Sequence, residues 1–415
     1  MNNRLIRNIK TDYLYCFIKN FDISSSIWVL YMVFKGLSLW QIGIVEGCYH
    51  LTGVLFEVPT GALADLLGRK KVIIAGRICS AISSILCLYG QNMWYFAFAF
   101  AISAIGQNLN SGSEEALVYD SLKQTGNEKD YLKVRSRLNI IIEVAQGMAI
   151  VIGGIIAEYS FPVCYVLSVI IAVISLIPAF IFTEPEAEQK RELTEEASDI
   201  TESRPAPMKD RRIAAVILNH YKVCADILRS APKLRKILIF YPMVFTFHTI
   251  MFFYGQEYFS SLGMNKIQIS FIMLLAGIVS CLGAFCSERL LLRLGSGAKY
   301  VMSILMGLSI MAFSNENGAQ AIIAFAAASF ANAVLYPIQS QAINERIPSG
   351  QRATIISVDS MAFSIMMILL FPICGIAADY YDLSAVFLGL GALQLMLLGL
   401  ISISDKQIIK KSKIK

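Results

Sequence analysis

Apolar stretches about a bilayer long recur from one end of the chain to the other, separated by short turns and one longer polar segment. A spanning helix needs about 20 such residues. Inside a bilayer the backbone satisfies its own hydrogen bonds only as a helix or a closed barrel. The runs are continuous, not alternating, so helices are the expected form. Composition agrees: 56% of the 415 residues are hydrophobic and 16% are charged, against roughly a quarter charged in soluble domains. The sequence therefore predicts an all-α polytopic membrane protein. The basic start, 1-MNNRLIRNIK-10, leads into a long apolar segment without an A-x-A-like cleavage site. That reads as a retained first span, not a removed signal peptide. Nine cysteines stand singly with no C-x-x-C pair, so they read as small core residues and no disulfide, metal or cofactor is expected.

Windows bounded by charges and turn residues place spans near 13–34, 41–62, 72–90, 93–116, 138–158 and 162–183. A second set follows near 237–257, 267–287, 300–314, 319–343, 353–377 and 383–403. Twelve helices result, as two six-helix bundles over 1–183 and 237–415, joined by a linker over 184–236; the symmetry points to duplication. With the N-terminus inside, 32 of the 36 Lys and Arg fall in cytoplasmic segments; Lys35 and Lys266 are external, and Lys19 and Arg77 lie within spans. Such asymmetry puts both termini in the cytoplasm. It also accounts for the net charge of +6 without nucleic acid. Trp40 and Trp94 land at external helix starts, where amphipathic rings prefer to sit. In the linker, Ile213, Val216, Ile217, Cys224, Ile227 and Leu228 fall at helical spacing opposite Lys and Arg. This predicts an amphipathic helix on the inner membrane surface, or a regulatory docking helix.

Between the second and third spans the composition changes abruptly, to 57-EVPTGALADLLGRKK-71. Gly61 and Gly68 permit close approach and a sharp turn, and Asp65 and Arg69 can pair across it. The run 61-GALADLLGRK-70 matches the G-x-L-A-D-x-x-G-R-K signature of the major facilitator superfamily, which the chain also resembles in span count, orientation and central loop. The resemblance implies an alternating-access transporter with a cavity between two bundles. It further implies an inner-gate charge cluster of Gly61, Asp65, Gly68, Arg69 and Lys70 with Asp120, in 118-VYDSL-122, that latches the halves while the cavity faces outward. The plain alternative is that these residues fix only topology and a tight turn. After the eighth span, 283-GAFCSERLLLRLGSGAK-299 keeps Gly283, Glu288, Arg289, Arg293 and Gly295 as an eroded counterpart.

A carboxylate at mid-membrane costs about 2.5–3.5 kcal/mol on insertion scales, so each one needs a reason. Asp22 stands in the first span near Lys19. Glu46, His50 and Glu57 share one stripe of the second, with the two acids roughly 16 Å apart in depth. Glu143 and Gln146 share a face of the fifth span, His248 sits mid-seventh, and Asp359 lies early in the eleventh. Asp22, Glu46, Glu143, His50, Glu57 and Asp359 are the proton-coupling candidates, since burial moves a carboxyl toward neutrality and lets it carry a proton. Each has a bland alternative: a helix–helix hydrogen bond or an internal pair such as Lys19 with Asp22. Asn332, Tyr336 and Gln339 form a polar stripe on the tenth span and, with His248, are the substrate-cavity candidates. The dense aromatic runs at 92–100 and 240–259 suit either a cavity for flat cations or ordinary packing.

The spacing Glu57, Pro59, Asp65, Arg69, Lys70 is similar to that of bacterial drug–proton antiporters, the tetracycline exporter of clostridial type among them. Two antiporter marks differ here. The fourth span has no Arg, and 145-AQGMAIVIGG-154 has Ala149 and Ile150 where the family carries Gly-Pro. Proton-coupled export of small amphipathic molecules is the leading expectation, and symport of a polar metabolite the alternative. No H-E-x-x-H, G-x-S-x-G or G-x-x-x-x-G-K-[ST] run is present, which argues against an enzyme or an ATP-driven pump. The expected setting is a bacterial plasma membrane, with a monomer meeting lipid, protons and a small-molecule substrate.

Overall fold

The computed structural model describes residues 2–185, 232–345 and 352–412. The linker helix expected over 209–230 lies outside the described residues. In the first half, α1 is Asn2–Asn20, α2 Trp28–Phe34, α3 Leu39–Leu67, α4 Arg69–Tyr89, α5 Met93–Gln124, α6 Tyr131–Tyr159, α7 Phe161–Ile174 and α8 Leu176–Ile181. In the second, α9 is Pro232–Ser261, α10 Lys266–Leu294, α11 Ala298–Phe313, α12 Gly318–Asn344, α13 Arg352–Tyr380 and α14 Leu383–Ser412. No strand occurs among the described residues.

Among the described residues, eight helical stretches are long and apolar enough to cross a bilayer: α4, α6, α7 with α8, α9, α10, α12, α13 and α14. The others fall short for different reasons. Helix α11 is apolar but has 16 residues, roughly 24 Å against a core of about 30 Å. Helices α3 and α5 have length to spare, at 29 and 32 residues, but carry acids, amides and hydroxyls. Polarity sets these two apart, and both line the cavity described below.

The first expected span, 13–34, is not one helix. Asp22 Oδ1 accepts hydrogen bonds from the Ser24 backbone at 3.0 Å and the Ser24 hydroxyl at 2.6 Å, and the Ser25 hydroxyl donates to the Asp22 carbonyl. Side chains thus take over local hydrogen bonding and separate α1 from α2. Likewise 162–183 is divided at Ser175, whose hydroxyl accepts from Arg77 Nε at 2.8 Å.

Among the described residues, two crossings bring helices of opposite halves together backbone to backbone. A Cβ on Gly43 would lie 2.6 Å from Pro372 Cα, and one on Gly375 2.5 Å from the Leu39 carbonyl, so α3 and α13 touch backbone to backbone. A Cβ on Gly154 would lie 2.9 Å from the Lys266 carbonyl, which brings α6 equally close to α10. Small residues permit such contacts between helices in lipid, where van der Waals packing drives association.

Candidate functional site

The stripe of acids and imidazole on α3 faces α13. His50 Nε2 lies 3.4 Å from Glu46 Oε1 one turn away, and His50 Nδ1 lies 3.3 Å from the Ser364 hydroxyl. The Ser357 hydroxyl donates to Glu57 Oε1 at 2.9 Å. Both long-range contacts cross between the halves of the chain. Glu46 is buried, while His50 and Glu57 are half-buried.

Beside this seam lies a cavity of about 730 Å³ between α3, α5 and α13. It runs from Tyr49 and Ala104 to Gly61, Ala64 and Arg69, a depth of roughly 20 Å along α3. The lining is rich in hydrogen-bonding groups, among them His50, Glu57, Gln107, Asn108, Ser111 and Ser360. Its described apolar side chains are small, and Tyr49 is the one benzenoid ring. Asn108 is held in place by donating to the Gly53 carbonyl at 2.7 Å, which also ties α5 to α3.

The dense aromatic runs contribute to a seal, not to the cavity walls. Tyr49, Phe100, Trp28, Phe253 and Phe371 follow one another with ring centroids 5.2–6.3 Å apart. Tyr254 lies 4.4 Å from Phe371, centroid to centroid, and its hydroxyl donates to the Leu39 and Phe371 carbonyls at 2.9 and 3.1 Å. Rings from both halves therefore close the end of the cavity away from Arg69.

Beyond the seal, two carboxylates clasp helix starts across the halves. Asp379, at the end of α13, accepts from the Leu39 and Trp40 amides at 3.0 and 2.8 Å. Glu158, at the end of α6, accepts from the Lys266 amide at 2.8 Å, with Lys266 Nζ 3.7 Å away. These amides have no partner within their own helix, and the helix dipole favours an anion there. The arrangement is reciprocal: each half supplies one acid and one helix start.

At the base-rich end, Gly68 turns the chain from α3 to α4 with φ +89°. Glu184 accepts from the Arg69 and Lys70 amides, each at 2.7 Å. Arg69 Nη1 donates to Asp120 Oδ2 and to the Ala116 carbonyl. This ion pair joins α4 to α5, both in the first half, so by itself it ties neighbours and does not tie the halves. Gly61 lines the cavity and Lys70 is half-buried. Asp65 is on the last turns of α3, and its side chain lies outside the described set.

The remaining candidates are scattered. Asp22 is exposed at the α1–α2 break, and Glu143 and Gln146 are exposed on α6. None of the three lines the cavity. Lys19, one expected partner of Asp22, instead meets Glu114 Oε2 at 2.5 Å. Asp359 accepts two hydrogen bonds from Gln339 Nε2, at 2.8 and 2.9 Å, which links two candidates from separate spans. Buried His248 lies 3.2 Å from the Ser329 hydroxyl. Tyr336 is exposed while Gln339 is buried, so the stripe on α12 does not present one surface. Asn332, Tyr336, Gln339 and His248 are all absent from the cavity lining.

Sequence reasoning missed Glu114, Glu158, Glu184 and Asp379. The clasps had a legible signal in repetition. The stretch 36-GLSLWQIG-43 parallels 263-GMNKIQIS-270, and 154-GIIAEY-159 parallels 375-GIAADY-380. Gly36 and Gly263 both take positive φ, and both helix starts form a capping box, Ser38 with Gln41 and Asn265 with Gln268.

Many apolar helices around a polar cavity, closed at one end and joined by repeated contacts, define a polytopic membrane transporter of a small-molecule substrate. The chain belongs to the Major Facilitator Superfamily, whose family model matches residues 16–314. It is 21% identical over 371 residues to the uncharacterized MFS-type transporter YxaM of Bacillus subtilis, covering 88% of this chain and 87% of YxaM. It is 29% identical over 127 residues to the inner membrane transport protein YajR of Escherichia coli; that match covers 31% of this chain and 27% of YajR. The fold is similar to the nucleoside transporter NupG, with TM-score 0.74, 15% identity and 97% of this chain and 98% of that one covered. It is also similar to a D-xylose-proton symporter, with TM-score 0.68, 15% identity and coverage of 96% and 97%.

Proposed function

We propose that this protein is a secondary transporter that moves a small polar solute by alternating access, coupled to protons at the seam between α3 and α13. Twelve crossings in two bundles, 1–183 and 237–415 with the linker 184–236 between them, are part of the reading. So is a cytoplasmic base-rich end, which follows from the positive-inside bias. On that orientation the described form is closed to the outside by the aromatic seal and opens inward beside Arg69. Placement in a bacterial plasma membrane accords with the bacterial relatives.

The observation that carries the substrate class is the lining. Hydroxyls, amides, an imidazole and a carboxylate converge on the cavity, and such groups discriminate for solutes that replace water's hydrogen bonds. Export of amphipathic molecules, favoured by the antiporter-like spacing around Asp65, would be served better by apolar and aromatic walls. The rings here are engaged in the seal. Glu57 and His50 suit the coupling role because they border the cavity and contact α13, so a change of proton occupancy alters a contact between the halves. Asp22, Glu143 and Asp359 remain secondary candidates.

The test is a thermal-stabilisation screen of the purified protein with nucleosides, sugars and amino acids beside lipophilic cations. Stabilisation by a polar solute is expected, and stabilisation by lipophilic cations alone would overturn the substrate class. In proteoliposomes with the identified solute, Glu57→Gln should reduce pH-driven accumulation at least tenfold while preserving counterflow. Unchanged accumulation would remove Glu57 from coupling.

A further inference from the structure

Outside the cavity lining, four ionisable side chains meet between α1 and α5 with almost no solvent. Asp12 and Cys16 sit one turn apart on α1, and Glu114 on α5 faces them. The Cys16 thiol donates to Glu114 Oε1 at 2.8 Å and lies 4.0 Å from Asp12 Oδ1. Lys19 occupies the other Glu114 oxygen, Oε2. One atom is left over. Asp12 is 0% exposed and its Oδ2 has no hydrogen-bond partner. A void of about 10 Å³ borders Asp12 and Glu114, about the size of one water-sized probe. A buried acceptor without a partner is costly, so something that enters the void and binds this oxygen would be favoured.

We propose that Asp12, Cys16 and Glu114 form a binding site for a divalent transition-metal cation of the zinc type. One oxygen or sulfur atom from each residue already lies within 4.8 Å of the others. Ligands of a tetrahedral ion with bonds of about 2.0–2.3 Å are separated by roughly 3.3–3.8 Å, so small side-chain adjustments complete the shell. A water in the void supplies the fourth position. Calcium and magnesium demand more oxygen ligands than these residues offer, whereas a thiolate selects softer ions.

The charges also close among the groups in direct contact. A doubly charged cation on two carboxylates and one thiolate leaves a single negative charge, and the Lys19 ammonium balances it from the Glu114 oxygen that the metal does not need. Binding releases the Cys16 proton to solvent. Of the other bases nearby, Arg135, which borders the void, is neutralised by Glu115 at 3.3 Å, and Arg77 is engaged with Ser175. Because α1 and α5 both belong to the first half and the site does not line the cavity, the ion pins two helices together and is not cargo. The proposal is independent of the substrate class argued above.

Full-length purified protein, stripped with a chelator and titrated with cadmium chloride, tests the site directly. One Cd²⁺ per chain should bind, with an ultraviolet thiolate-to-cadmium charge-transfer band. The band should vanish in Cys16→Ser, and Asp12→Asn should weaken Cd²⁺ binding at least tenfold, with elution from size exclusion checking the fold of both. Zinc chloride should compete with cadmium and magnesium chloride should not. No band, a band that persists in Cys16→Ser, or unaltered affinity in Asp12→Asn would overturn the proposal. Should Cys16→Ser not fold, X-ray absorption of the cadmium-loaded parent chain decides: sulfur in the shell upholds the site, and an oxygen-only shell rejects it.

Discussion

Removing both clasp charges, with Asp379→Asn and Glu158→Gln together, shifts the protein by about 30-fold toward a form open at the sealed end. Each carboxylate holds helix-start amides of the opposite half, and an anion at a solvent-accessible helix N-terminus contributes about 1 kcal/mol. Two such contributions sum to roughly 2 kcal/mol, about 30-fold in an equilibrium constant. The substitutions keep shape and remove charge, so the close packing of Gly43 on Pro372 and Gly154 on Ser270 stays intact. Spin labels on Lys35→Cys and Glu316→Cys, one in each half near that end, report the change as a longer-distance population. Each single variant should move about fivefold. A double variant with the parental distance distribution would show that the clasps hold nothing.

The stripe on α3 was readable because helix period alone places Glu46, His50 and Glu57 on one face, and apolar surroundings make polar residues conspicuous. Which helix the stripe would meet was not readable. Ser357 and Ser364 lie some 300 residues away and carry no mark of their own. The break at Asp22 was missed because an apolar window averages over a short Asp-Ile-Ser-Ser-Ser turn, whereas local side-chain hydrogen bonds decide it. The aromatic runs had two uses consistent with composition, and only packing separates a seal from a binding wall. The clasps were written in the sequence as two repeats, yet their meaning is a crosswise pairing that no single repeat displays.

Lys19→Met should be the most destabilising single change at the α1–α5 contact. It leaves Glu114 and Asp12 as enclosed acids without their nearby ammonium, and removing one partner of a buried pair costs about 3–5 kcal/mol. Adding Glu114→Gln should restore most of the loss, because deleting both charges of such a pair is close to neutral. Thermal unfolding in detergent reads both effects. A double variant no more stable than Lys19→Met would mean that the two residues do not act as a pair.

Helices α3 and α5, the two that build most of the cavity, are also among those that fail to qualify as spans by apolarity. A polar solute path therefore places a burden on biogenesis. Released singly from a translocon, either helix would partition poorly into lipid, while α4, which lies between them in sequence, would enter readily. Insertion should proceed as hairpins, with α4 carrying its polar neighbours into the bilayer and Asn108 donating to Gly53 as an early fastening between them. Ribosome-bound chains truncated before α4 would then leave α3 extractable by alkali, and chains that include α4 would retain it.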